Sequence, residues 1–187
     1  MNDEMKLIRE VNIQAENAYE HAVQMGDRAA HSFQLLNTPG KKNNHRSQMT
    51  NLENIAESAF KTSDIFNYIK RQTARQDYWR QALPGYPVPG RKDNTDVGFG
   101  EGLREYLEKN LLEERVKIIA RNLKLEGDTD AEQQERRRIH LLLIRQFIRS
   151  MIIQYEYRVS EIQDTQYKGN QGQPPGQQTG QNQRRGG

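Results

Sequence analysis

The sequence predicts an all-α protein, a single helical bundle of about four to five helices followed by a disordered C-terminal tail. Two observations carry this. Apolar residues recur at steps of three and four through most of the chain, the spacing of one helix face. Period-two alternation, the mark of a half-buried strand, is absent, and the β-branched residues sit inside the helical stripes.

The first helix is expected from about Asp3 to Leu36, on the stripe Ile8, Val11, Ala15, Ala18 and Ala22, with Gly26 as the place where it kinks or breaks. Thr38-Pro39-Gly40 stops it, and Lys41 to Gln48 reads as a polar loop. A second helical segment starts near Thr50 or Asn51, with Glu53 early in its first turn, where an acid suits the helix dipole. Leu52, Ile55, Ala56 and Ala59 form one stripe and Ile65, Phe66 and Ile69 another. The segment therefore divides near Lys61, with Ser63 or Asp64 capping the new start. Pro84, Pro87 and Pro89 end it by Leu83, and Pro84 to Gly102 reads as a long surface loop.

A third helix is expected from about Glu101 to Leu125 on Leu103, Leu107, Leu111 and Ile118, with Ala120 or Leu123 completing the face. Thr129 and Glu132 then have the spacing of a capping box, in which each side chain satisfies the other's free backbone N–H. The helix they open runs to about Gln163. Leu141 to Ile144, Phe147, Ile148 and Met151 to Ile153 occupy most of its circumference, and a helix apolar nearly all round belongs at the centre of a bundle. The bundle domain is residues 1–168. From Gly169 to Gly187 no aliphatic or aromatic side chain occurs, so this tail cannot offset its ordering entropy and is expected to be disordered.

Composition narrows the chemistry. The 187 residues contain no cysteine, which excludes disulfides, thiolate metal sites and a cysteine nucleophile. Met1 to Glu10 has no apolar core of a secretory signal. The longest nearly apolar run, Ile139 to Ile153, is broken by His140, Arg145, Gln146, Arg149 and Ser150, and is too short and charged to span a bilayer. A cytoplasmic protein without membrane attachment is expected. The histidines, His21, His31, His45 and His140, share no ligand spacing, and no nucleophile, base and orienter fall together. Gly98-Phe99-Gly100-Glu101-Gly102 lacks the Lys and Ser/Thr of a phosphate loop and reads as a flexible hinge and cap. The chain is expected to be no enzyme and to need no cofactor or metal.

Charge is the informative signal. The net formal charge is only +3, but it is segregated: residues 41–92 carry ten basic and four acidic side chains, whereas residues 1–40 carry three basic and six acidic. Within the basic stretch Lys70, Arg71, Arg75 and Arg80 lie on the second helical segment, interleaved with Tyr78 and Trp79. Cations neutralise phosphates and aromatic rings stack on bases, so this is the composition of a surface that tracks a nucleic-acid backbone. The alternative is a solvated helix face, with Trp79 as a packing residue. On the last helix Arg138, Arg145 and Arg149 form a stripe, read first as solvated or ion-paired and second as phosphate-contacting.

Asn51-Leu-Glu-Asn-Ile-Ala-Glu-Ser-Ala, Ser63-Asp-Ile-Phe-Asn-Tyr-Ile-Lys-Arg-Gln-Thr73, Trp79 and a Gly-rich joint into Leu103-Arg-Glu-Tyr-Leu together resemble the small helical subunits of type III CRISPR effector complexes. The resemblance implies an all-α, non-catalytic subunit of a ribonucleoprotein that contacts a guide–target RNA backbone without reading its sequence. It also implies partner subunits, copies of the chain among them. It points to Lys70, Arg71, Arg75 and Arg80 as backbone contacts, with Arg145 and Arg149 next. The Pro-rich loop and the Gln/Gly tail depart from that family's compact form. The competing reading is a helical interaction or structural protein whose basic stretch meets an acidic partner.

Overall fold

The computed structural model describes residues 3–34, 45–91 and 96–171. Their elements are α1 (Asp3–Asn17), α2 (Tyr19–Gln34), α3 (Arg46–Ser58), α4 (Thr62–Arg75), α5 (Asp77–Arg80), α6 (Phe99–Tyr106), a π-helical segment (Leu107–Val116), α7 (Lys117–Asn122) and α8 (Asp130–Gln171). α6, the π segment and α7 run on without a break, so the described residues form seven separate helical rods. The only β pairing among them is an isolated bridge between Ala82 and Gly98. The all-α class holds. The count exceeds four to five because short breaks at Ala18, Ala59–Lys61 and Gln76 divide what the apolar stripes alone join.

The first break is at Ala18, not Gly26. Gly26 lies inside an unbroken α2, where a Cβ would sit 2.5 Å from the Met151 carbonyl oxygen and 2.7 Å from Gln154 Cβ. Its missing side chain lets α2 press directly onto α8, the most extensive helix contact in the fold. α3 begins at Arg46, inside the stretch expected as loop, because buried Met49 extends the Leu52–Ala56 stripe by a turn. Residues 35–44, including the Thr38-Pro39-Gly40 stop, lie outside the described residues. α4 starts after Lys61 as its stripes require, but neither Ser63 nor Asp64 caps it.

The described parts of the expected surface loop from Pro84 to Gly102, residues 84–91 and 96–102, form a partly packed corner. Leu83, Val88, Pro89 and Phe99 are buried, and Gly102 would bring a Cβ to 2.7 Å from Val88 Cγ2. A Cβ at Gly98 would collide with the Arg80 carbonyl and one at Gly100 with Thr73 Oγ1, so these glycines permit close approach and do not form a hinge. Arg28 pins the corner from α2. Its side chain is buried, and its Nη2 donates to the Val97 carbonyl. Burial lowers its pKa to about 10, with Asp96 opposing and Arg91 reinforcing the shift, so it stays charged near neutrality.

The rod 99–122 departs from α-helical register. Leu103, Leu107, Leu111 and Ala120 are buried as expected, but Val116 and Ile119 turn inward between them and Ile118 is 37% exposed. The π segment widens the turn, shifting every later side chain round the axis. The α8 start follows the capping box: Glu132 N donates to Thr129 Oγ1, and Thr129 N donates to Glu132 Oε2, both at 3.3 Å. α8 is the central element, packed by α1, α2, α3, α4 and the π segment. It continues past Gln163 to Gln171, so the first residues of the expected tail are helical, and residues 172–187 lie outside the described residues. No helix among the described residues is long and apolar enough to cross a membrane.

Candidate nucleic-acid interface

α4 separates its residue types cleanly. Ile65 and Ile69 are buried, while Lys70, Arg71 and Arg75 are exposed. None of these three cations has an ion-pair or hydrogen-bond partner among the described residues. They leave the helix on two flanks, because successive residues turn by about 100°. Arg71 and Arg75 share the flank of Tyr68, whose hydroxyl donates to the Gln48 carbonyl of α3 at 3.0 Å. Lys70 lies on the other flank, lining a groove of about 350 Å³ with Thr73, Arg80, Gly100, Glu101 and Arg104.

The other candidate cations are engaged within the chain. Arg80 pairs with Asp77. Arg149 Nη2 meets Glu57 Oε1 at 2.6 Å, and Arg138 joins Glu4 and Glu135. Arg145 has a different task. Its Nε donates to the Ala56 carbonyl at 2.9 Å and its Nη2 to the Ala59 carbonyl at 2.8 Å, closing the C-terminal end of α3. These bonds commit Nε and Nη2 to a cap of α3, and Nη1 alone makes no bond among the described residues. Elsewhere in the basic stretch Arg46 pairs with Glu156 and Arg91 with Glu105, each at 3.4 Å. Within the stretch 41–92 the described cations without a partner are Lys61 and the three on α4; elsewhere Arg9, Lys117, Lys124 and Arg137 are likewise unpaired, one or two to an element.

Tyr78 and Trp79 point inward. The α4–α5 break at Gln76, in extended conformation, turns both rings into the core. Trp79 is fully buried, with Phe99 and Phe33 ring centroids at 5.0 Å and 5.8 Å. Tyr78 stacks on His45 at 3.9 Å. Base stacking on Trp79 is therefore excluded by burial, and the packing alternative holds.

Two further arginines tie backbone carbonyls. Arg136 donates to the carbonyls of Leu125 and Gly127 in the turn between α7 and α8. Arg115 acts as Arg145 does: it donates to Gln14 Oε1 at 3.2 Å and to the Asn17 carbonyl at 3.3 Å, at the end of α1. Carbonyls at a helix C-terminus lack intrahelical donors and carry the negative end of the dipole, so a guanidinium from another helix suits them. Only Arg136 lies near its partners in sequence. The others had no local signal.

The histidines are separate and structural. His140 is buried on α8, and its Nε2–H donates to the Leu107 carbonyl at the start of the π segment, 2.9 Å away. His21 Nδ1 and Tyr106 Oη share a hydrogen bond at 2.9 Å. Burial holds the pKa of His140, and those of His31 and His45, below the ordinary value of 6.5. The unfolded chain therefore takes up protons near pH 6.5 that the folded chain refuses, and stability is complete above that value and lost as pH falls below it. Thermal unfolding should show a falling Tm between pH 7 and about pH 5, and His140→Gln, which keeps a neutral donor, should flatten that fall. A Tm independent of pH across this window would contradict the buried neutral imidazoles.

Among the described residues no group of three or more His, Asp and Glu side chains is placed to hold a metal ion. Fold and surface together define an all-α bundle that presents three unpartnered cations on α4. Comparison with known protein families, curated proteins and solved structures gives no match to the chain.

Proposed function

We propose that the chain is a non-catalytic helical subunit that holds a nucleic-acid backbone through the exposed side of α4. The observation that carries this reading is the state of Lys70, Arg71 and Arg75. Three cations stand on one short helix without partners among the described residues, while Arg46, Arg80, Arg91, Arg138, Arg145 and Arg149 are engaged within the chain. Free cations on a rigid helix can neutralise phosphates and release counterions without reading bases. The resemblance to type III CRISPR small subunits supports an RNA-guided effector complex as the setting and RNA as the ligand. Its implied contacts contract here to Lys70, Arg71 and Arg75, with Arg80 at the groove edge.

The test is binding of fluorescent single-stranded RNA across a salt series. The wild type should bind with a steep salt slope, and Arg71→Glu/Arg75→Glu should weaken binding at least about tenfold and reduce the slope by about 1.4, the share of two phosphate contacts on a single strand. Arg145→Ala should leave binding unchanged yet lower stability by about 1.5–3 kcal/mol, through loss of charge-assisted hydrogen bonds to the end of α3. Equal RNA affinity in the wild type and the double reversal would remove α4 from the interface. Co-purification of protein partners that survives nuclease and high salt, with no RNA binding, would favour the interaction-protein reading.

A further inference from the structure

Phe60 breaks the rule that large aromatic rings are buried. It sits in the short link between α3 and α4 with 94% of its surface exposed. The link is held firmly, because Arg145 bonds the Ala59 carbonyl at 2.8 Å and Arg149 neutralises Glu57 at 2.6 Å. Lys61, next to the ring, has no partner among the described residues.

A hole lies across α8 from this knob. The joint between α1 and α2 encloses a pocket of about 210 Å³. Its floor includes the buried side chains of Ala18, Ala22, Leu143 and Phe147 with half-buried Ala15 beside them, and its rim carries Glu16, Tyr19 and the hydrogen bond from Gln146 Nε2 to Asn12 Oδ1 at 3.0 Å. Small residues at the joint open the space, and an apolar floor inside a polar rim is the anatomy of a pocket that accepts an aromatic anchor. Arg145 and the floor residues Leu143 and Phe147 are two positions apart on α8, which separates them by about 160° round the helix. Phe60 cannot fill the pocket of its own chain.

We propose that Phe60 of one copy seats in the alanine-lined pocket of a second copy, with Lys61 meeting Glu16. A second copy is the occupant because both halves of the contact are present on this chain with matching charge. Lys61 beside the knob and Glu16 on the rim are both exposed and without partners among the described residues. Knob and hole face different ways, so the contact is heterologous and association does not stop at two copies. This contact does not rest on the nucleic-acid reading.

Sedimentation velocity of nuclease-treated full-length protein over a roughly hundredfold concentration range tests it. The wild-type average mass should climb above the 21.8 kDa of one chain. Phe60→Ser, which removes the knob, and Ala15→Leu, which fills the hole, should each weaken association at least about tenfold. An equimolar mixture of the two should form a complex of two chains and nothing larger, since one variant keeps the hole and the other the knob. Lys61→Glu should weaken association, and Glu16→Lys on the same chain should restore it. Circular dichroism checks that each variant keeps its helix content. A wild type that stays at the mass of one chain, a folded Phe60→Ser that associates like the wild type, or folded variants that fail to pair in the mixture would each overturn the proposal.

Discussion

Trp79→Ala should lower the unfolding free energy by about 3–5 kcal/mol, the range for removing a buried aromatic side chain from a core. Globular domains are stable by only about 5–15 kcal/mol, so the variant should lose much of its margin and unfold at far lower urea. The effect should be large because Trp79 is fully buried and joins several elements. Its ring meets Phe33 of α2, Phe99 of α6 and Tyr68 of α4 at centroid distances of 5.8, 5.0 and 6.2 Å. Neighbours on three helices cannot all collapse into one vacated space. Trp79→Phe separates shape from polarity. The indole Nε1 is buried with no acceptor among the described residues, so phenylalanine loses packing but leaves no donor stranded. It should cost well under half of the alanine change. RNA binding by the residual folded protein should be unaffected in both, since the ring reaches no surface.

Gly26→Val should destabilise by about 3 kcal/mol, the upper end of the range for overpacking. Taken alone, α2 predicts the opposite sign, because replacing a mid-helix glycine relieves about 0.5–1 kcal/mol of backbone entropy. The α8 backbone decides the outcome. A Cβ at position 26 would lie 2.5 Å from the Met151 carbonyl oxygen, and a carbonyl inside a helix cannot swing away as a side-chain tip can. Gly26→Ala should therefore also destabilise, by less. Urea unfolding of both variants reads the ordering, and a gain in stability for either would mean that α2 and α8 are not in contact at this point.

The sequence reveals most about helices whose partners lie within a turn or two. The Thr129–Glu132 box marks the start of α8, because both hydrogen bonds close within three residues. The central position of α8 follows from its apolar girth. Gly26 misleads because glycine weakens a helix by itself, and only the distant Met151 carbonyl shows why one is needed. Arg28 gives no local sign of burial, since its acceptor, the Val97 carbonyl, lies on another element. The candidate interface was legible in part. Spacing identifies Arg71 and Arg75 as neighbours on one face, and they remain exposed. Arg145 looks the same in sequence, but the carbonyls of Ala56 and Ala59, which belong to a different helix, engage it. Tyr78 and Trp79 interleave with cations along the chain and separate from them in space, because the break at Gln76 turns them inward.

The π segment also bears on how long this rod needs to be. Leu103, Leu107, Leu111, Val116 and Ile119 are all buried, and the step from Leu111 to Val116 is five residues. Removing exposed Leu112 alone would turn the series into steps of four, four, four and three, the rhythm of an unbroken α-helix. One residue of this stretch is surplus to the packing it serves. A chain shortened by Leu112 should keep the same inward face on both sides of the cut, whereas one lengthened by a residue at that point should rotate 117–122 by about 100° and expose part of it. The rod is expected to tolerate the loss of one residue and to reject the gain of one, and thermal unfolding of the two variants would show the difference.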